Sequence, residues 1–573
     1  MVAVRFCDDV TYRQKDKTLD LKVMGLSKRC KGKVMFVDCS FCSLTALPVH
    51  LLHLEYLEEL HMEGNFICSL PSEISQLKNL RVLYLHENLL SCVCGDLGRL
   101  SQNLRSLDLS HNPFKCPEQM QDVLHRLHGL RELRLYRLDL KELHDLICKN
   151  LFRLEILGLS DNSLTALPSE ITNLLFLREI YLNNNLFQFF PAGLGKLPHL
   201  EIIDVGRNQI VTVSDYDCGS SWKKLFVSFN RLSSFPRSLC KFGRLTVLDV
   251  SSNSLTRLPH CFRALRGLVD LALSNNMLRT FPAQICMLNS LHVLYLKNTG
   301  LKELHPNVVN LQNLCVLDLS QNSLTDFPME ILSFVHLEDL SLDDNQLRAV
   351  LSIPAGIQSL SKIKNLGLSG NQFSTFPTAV CELLLLEKLY LGQDQGMKLH
   401  SLPQTITQLT KLKELYLDNN NLVGLPNSIG KMQRLQVLDL HNNKLKALPK
   451  TIGCLTGLKK LYLQTNNLSS LPVDFSNLRN LGILTLTENP MTAPPLEVCE
   501  QGAEAVVRYL KEKICRGANC LKIQAWWRGT MVRKKLGPFK EPGTTKSGKD
   551  SKDKDKDKTH KGKDKRTPNK KNA

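Results

Sequence analysis

The sequence predicts an α/β solenoid: one short strand per repeat, stacked in parallel into a single long sheet, followed by a C-terminal helix and a polar tail. Three observations predict it. A pattern of 23 residues recurs along most of the 573-residue chain. Within each copy, leucines first alternate with other residues and then space out, which is the change from a strand period to a turn or short helix. The charge sits outside the repeats, because residues 511–573 hold 21 Lys and Arg against 7 Asp and Glu, +14 of the chain's net +18.

The repeat comes first. Residues 154–168 read LEILGLSDNSLTALP and residues 435–449 read LQVLDLHNNKLKALP. With the central Asn as anchor there are twenty copies, of which sixteen hold Asn and the others hold Cys42, Leu138, Thr299 and Asp394. Thirteen of the nineteen steps between anchors are 23 residues long. In LxxLxLxx the period of two describes a strand with its leucines inward. The Asn amide is expected to satisfy backbone groups in the turn that ends it, and replacing one such amide should cost roughly 1–3 kcal/mol. The Leu-Pro step turns the chain, and IxxL packs a short helix or irregular segment behind the sheet. One repeat cannot bury its own leucines, so neighbours must stack.

This pattern resembles the leucine-rich repeat family, and its short period and Leu-Pro step are similar to the intracellular type. The resemblance implies a solenoid with a parallel sheet lining its concave face. Residues 1–33 are then an N-terminal cap, 34–497 the repeats and 498–516 a C-terminal capping helix, with Ala503, Val506, Val507, Leu510 and Ile514 at helical spacing. Gly517, Ala518 and Asn519 are expected to interrupt or kink that helix.

Residues 523–536 read IQAWWRGTMVRKKL, which fits IQxxxRGxxxRxxL. The segment 518–537 thus resembles the IQ motif, which binds calmodulin or a calmodulin-like EF-hand protein. The resemblance implies roles for each matching residue. Ile523 is the apolar anchor, Gln524 bonds to backbone of the partner, Gly529 permits close approach, and Arg528 and Arg533 meet acidic groups. Trp526, Trp527 and Leu536 add apolar area to a helix-in-groove contact. Trp527, Met531 and Leu536 also give a 1–5–10 spacing suited to the calcium-loaded form, so the calcium dependence stays open. The combination of array and helix resembles leucine-rich repeat proteins with a C-terminal IQ motif.

The residue between the two strand leucines is expected on the concave face. That column holds Tyr84, Tyr181, Tyr295, Tyr390, Tyr416 and Tyr462, six of eleven tyrosines in the chain. It also holds Asp38, Asp108, Asp204, Asp249, Asp318 and Asp439. Tyrosine gives large rigid contact area with a polar tip, which suits a protein interface. An unidentified protein is therefore the expected concave-face partner.

Composition and motifs narrow the function. No apolar run approaches a membrane span, and the first seventeen residues lack an apolar stretch of signal-peptide length. A cytoplasmic protein is expected, with a cytoskeletal or ciliary setting as the alternative. The nineteen cysteines are scattered, and Cys39/Cys42 and Cys92/Cys94 lack the second pair a zinc site needs. Cys148, Cys240, Cys286, Cys381 and Cys499 share one repeat position and are expected to be packing residues. No metal, cofactor or small-molecule substrate is expected. The tail 538–573 alternates Lys with Asp, is expected to be disordered and lacks the aromatics that stack on bases, so nucleic acid is not an expected partner. Residues 543–550 nearly match a P-loop, but Asp550 stands where the Mg²⁺-binding hydroxyl belongs and no strand precedes them. The reading is a non-enzymatic scaffold or adaptor. The alternative is a structural protein held to the cytoskeleton by its basic tail.

Overall fold

A computed structural model of the protein describes residues 2–5, 34–213, 221–348, 353–394 and 396–533. The repeats expected from Val34 onward form twenty strands, from Val34–Asp38 to Ile483–Thr485, each paired in parallel with the next. A further strand, Val2–Arg5, pairs in parallel with Val34–Asp38. The segment read as a polar cap thus contributes a strand to the sheet. The rest of that segment, 6–33, lies outside the described residues, as do Leu536 and the tail 538–573.

Most strands are three residues long, with a buried middle residue between two part-exposed ones, as in Val82–Tyr84 or Val437–Asp439. Behind them the Leu-Pro step starts a turn of 3₁₀ helix. Pro168 caps Ser169–Asn173, and Pro449 caps Lys450–Cys454. Proline is suited to that place because its φ is fixed and its missing N–H needs no partner. The third residue of each such turn, for example Ile171 or Ile452, is buried against the sheet. Two repeats carry α-helix instead: α1, Pro117–Leu124, takes up the long step between Asn112 and Leu138, and α2, Asp145–Asn150, follows it. Strands stack every ~4.8 Å, whereas the helical turns need more width, so the strand side is the inner, concave one.

The asparagines hold the repeats together. Each of the sixteen anchors uses both ends of its amide. Asn65 Oδ1 accepts from the Leu44 N–H at 2.9 Å, and its Nδ2 donates to the carbonyls of Cys39, Met62 and Glu63. One of those carbonyls and the donor belong to the preceding repeat, so the amide ties neighbours as well as its own turn. The residue before the anchor is left-handed in nineteen of the twenty copies, with φ from +50° to +66°. That conformation costs a non-glycine residue about 1–2 kcal/mol, and the anchor's four hydrogen bonds offset it.

At two of the four copies without Asn, the next repeat compensates. Leu138 brings no amide, and Asn162 Oδ1 accepts from the N–H groups of both Leu138 and Leu140. Thr299 donates its hydroxyl to the Leu296 carbonyl at 2.8 Å, and Asn322 Oδ1 accepts from the N–H groups of Thr299 and Leu301.

The expected anchor Asp394 is a correction. Its side chain is exposed, and the residue before it, Gln393, is buried at 0% exposure. This copy alone lacks the left-handed residue before the anchor. The added residues that follow reshape the turn, so the chain reaches the core one residue early. Both amide atoms of Gln393 lack a partner among the described residues. An unsatisfied buried amide costs about 1–3 kcal/mol, so Gln393→Met should raise stability by ~1 kcal/mol or more, seen as a higher midpoint in urea. Asn→Met at any true anchor should lower it.

The C-terminal end is α3, Leu496–Glu500, and α4, Ala503–Arg533. Ala503, Val506 and Leu510 are buried and close the core, while Ile514 is exposed. The chain divides into two units, Met1–Leu510 and Lys511–Ala573. The interruption expected at residues 517–519 does not occur, since α4 is helical throughout. One glycine in a helix costs only about 1 kcal/mol relative to alanine, and the flanking Arg516 and Ala518 are strong helix formers. Among the described residues no helix is long and apolar enough to cross a membrane.

Candidate functional site

The sequence-predicted residues fall on two surfaces. The first is the second half of α4. Ile523, Trp526 and Trp527 lie one turn apart and are 64%, 65% and 56% exposed, and Leu521 is 68% exposed. Gln524, Arg528 and Arg533 are exposed as well. Helical spacing aligns Ile523, Trp527 and Met531, four residues apart, into one apolar stripe. The basic residues Lys511, Lys513, Arg516, Lys522, Arg528 and Arg533 surround it, against Glu512 as the one acid. Arg516 and Glu512 pair at 3.6 Å. Gly529 lies within the helix. Fully burying a large apolar side chain is worth about 1.5–3 kcal/mol, so this stripe offers a partner with an apolar groove and an acidic rim a large gain.

The second surface is the inner face of the sheet. Each column tyrosine stands outward between two buried aliphatic residues, as Tyr84 does between Leu83 and Leu85. Tyr390 and Tyr416 stack in parallel with centroids 4.7 Å apart. The Tyr181 and Tyr416 hydroxyls donate to Glu179 and Glu414. Burial pushes both phenols up, and those carboxylates push the same way, so both remain neutral donors. Tyr295 is more open, at 39% exposure, and Tyr462 is part-exposed.

The column aspartates have a different job. Asp38, Asp108, Asp204, Asp249, Asp318 and Asp439 each accept the N–H two residues on, at 2.9–3.1 Å. They fasten the strand to its turn, as short acidic side chains do in Asx turns. The second oxygen of Asp108 faces His86 at 3.4 Å.

The sequence reading took one column where the face has three. The residues two before and two after the column position point the same way, by the period of two already used for the leucines. They bring Tyr136, His86, Lys388, Glu414 and His441 to the surface, and His61 joins the column itself, in register with Asp38 and Tyr84. Near the N-terminus Phe36, His61 and Tyr84 form a row of rings 5.1 and 4.8 Å apart. Tyr136 lies over Gly158, where a Cβ would stand 2.4 Å from its hydroxyl oxygen. Burial pushes the Tyr136 phenol up to about 12.

Further along the face becomes acidic. Asp270, Asp318, Asp339, Asp343, Glu414, Asp418 and Asp439 outnumber Lys297 and Lys388 in these columns. Burial raises the carboxyls of Asp343 and Asp418. Asp418, Asp439 and His441 bring three ligand-type atoms within 4.8 Å of one another. His441 Nδ1 is 2.7 Å from Asp439 Oδ1.

Sixteen described cysteines are free thiols. Cys148, Cys240, Cys286, Cys381 and Cys499 are all buried, the packing role expected of them.

Family models for the leucine-rich repeat match residues 220–278, 289–347, 410–468 and 433–491, with a further copy at 103–123. The IQ calmodulin-binding motif matches residues 518–537. Over 162 residues the chain is 47% identical to the Homo sapiens leucine-rich repeat and IQ domain-containing protein 4, a match that covers 28% of each chain. The Mus musculus protein of the same name is 45% identical over 162 residues, 28% of this chain and 27% of its own. The matched stretch thus spans just over a quarter of either relative's length. Among solved structures, a Leptospira interrogans LRR protein aligns with a TM-score of 0.53 and 29% identity, covering 82% of this chain and 95% of that one.

Proposed function

We propose that this leucine-rich repeat chain with its IQ motif is a non-enzymatic adaptor with two protein-binding surfaces. The IQ helix takes calmodulin or an EF-hand relative, and the inner face of the solenoid takes a second protein. The observation that carries the first half is the exposed Ile523, Trp526 and Trp527 stripe on a basic helix. An acidic lobe with an apolar groove is complementary to it in both respects. The tyrosines and the excess of carboxylates between Asp270 and Asp439 support the second half, and they favour a partner that presents a cationic segment. A cytoplasmic setting is part of the proposal, supported by the free thiols among the described residues.

The test is affinity capture from cytosolic extract by three forms of the full-length protein: wild type, Tyr390→Ala/Tyr416→Ala, and Ile523→Ala/Trp527→Ala. The first variant should lose a protein that the second retains, and the second should lose calmodulin that the first retains. If both lose the same set, the two-surface adaptor is wrong.

A further inference from the structure

The recurring cysteine position has a geometric neighbour. It is the fourth residue after the Leu-Pro step and lies on the turn that faces the next repeat, where Cys286 approaches His305. Cys381 meets the second residue after the step in the next repeat, through a hydrogen bond with the Thr405 side chain. At one place both members are cysteine. Cys240, on the turn Arg237–Lys241, and Cys261, on the turn His260–Ala264, have their sulfurs 2.8 Å apart.

We propose that Cys240 and Cys261 are a redox modification site, closing to a reversible disulfide when the protein meets hydrogen peroxide. The two sulfurs are closer than unbonded sulfurs normally rest, and an S–S bond of about 2.05 Å needs a shift of under an ångström. The two turns are already fixed side by side by the buried Leu239 and Phe262. Cys240 is 7% exposed, whereas Cys261 is partly exposed and is the thiol the oxidant reaches.

The chemistry balances on the two thiols and one peroxide. The Cys261 thiolate attacks a peroxide oxygen, the O–O bond breaks, and a sulfenic acid and hydroxide form. The Cys240 sulfur then attacks the sulfenic sulfur. The S–S bond forms, the S–O bond breaks, and hydroxide leaves with the Cys240 proton as water. Two electrons pass from the thiols to peroxide, and two waters result. Reduction by a dithiol reverses the bridge. The pair ties two successive repeats, so the oxidised form should resist separation of the strands Lys224–Phe226 and Val247–Asp249.

The experiment treats the full-length native protein with increasing hydrogen peroxide, blocks remaining thiols by alkylation and digests with trypsin. The expected product joins peptide 238–241 to peptide 258–263. It should saturate while Cys286 and Cys381 are still alkylatable, and dithiothreitol should release it. Cys261→Ser should remove it. Hydrogen exchange of the wild-type strands 224–226 and 247–249 should slow several-fold on oxidation, a readout that needs no variant. The proposal is overturned if Cys261 accumulates as sulfenic or sulfinic acid with Cys240 still alkylatable. It is equally overturned if the joined peptide forms only after urea unfolding, or if oxidation leaves exchange unchanged.

Discussion

Replacing Ile523 and Trp527 together by alanine should abolish calmodulin binding while leaving the fold unchanged. Both side chains are more than half exposed, so the folded chain loses little packing when they are cut back. Alanine also has the highest helix propensity, so α4 keeps its form. The loss falls on the complex. Two large apolar anchors buried in a groove contribute about 2 kcal/mol each. A deficit of ~4 kcal/mol weakens binding roughly a thousandfold. Calorimetry of the variant against calmodulin, paired with its circular dichroism spectrum, checks both halves. Gln524→Ala, which removes one polar contact, should cost far less.

The second large effect is on stability. Asn322→Ala should destabilise the array by about 3 kcal/mol, the upper end for a lost buried amide. Asn322 Oδ1 serves two N–H donors from the Thr299 repeat, and its Nδ2 donates to the carbonyls of Leu296, Leu319 and Ser320. Asn443 has the same three kinds of acceptor but receives from Leu422 N–H alone. Asn443→Ala should therefore cost less, nearer 2 kcal/mol. In a stacked array each repeat touches only its neighbours, so the damage should be local. Hydrogen exchange should rise around residues 296–324 in the first variant and leave the distant repeats as they were.

These two effects mark what was legible in the sequence. The strand, the Leu-Pro turn and the anchor follow from one period and a few residue types, and twenty copies average out the irregular ones. The IQ helix was legible for a similar reason, since a dense local motif needs no tertiary context. What escaped depends on context that a pattern does not carry. The spacing put Asp394 at the anchor, but a reshaped turn seats Gln393 inside instead. The column aspartates read as contact residues, and the backbone N–H two residues on takes one oxygen of each. Gly517 read as a break, and a single helix runs through it. Of the three columns on the inner face, the reading followed one, although the same alternation of two predicts the others. The Cys240 and Cys261 contact was in principle readable as a spacing of 21 residues across adjacent turns. It becomes visible only once the two positions are known to meet.

The central claim is that the exposed helix at residues 511–533 is a docking element for calmodulin or an EF-hand relative. The most direct measurement is calorimetric titration of calmodulin into the full-length protein, once with calcium and once with a chelator. The account predicts saturable binding at one calmodulin per chain in at least one condition, lost in the Ile523→Ala/Trp527→Ala variant. No heat in either condition, or binding that the variant retains, would contradict it.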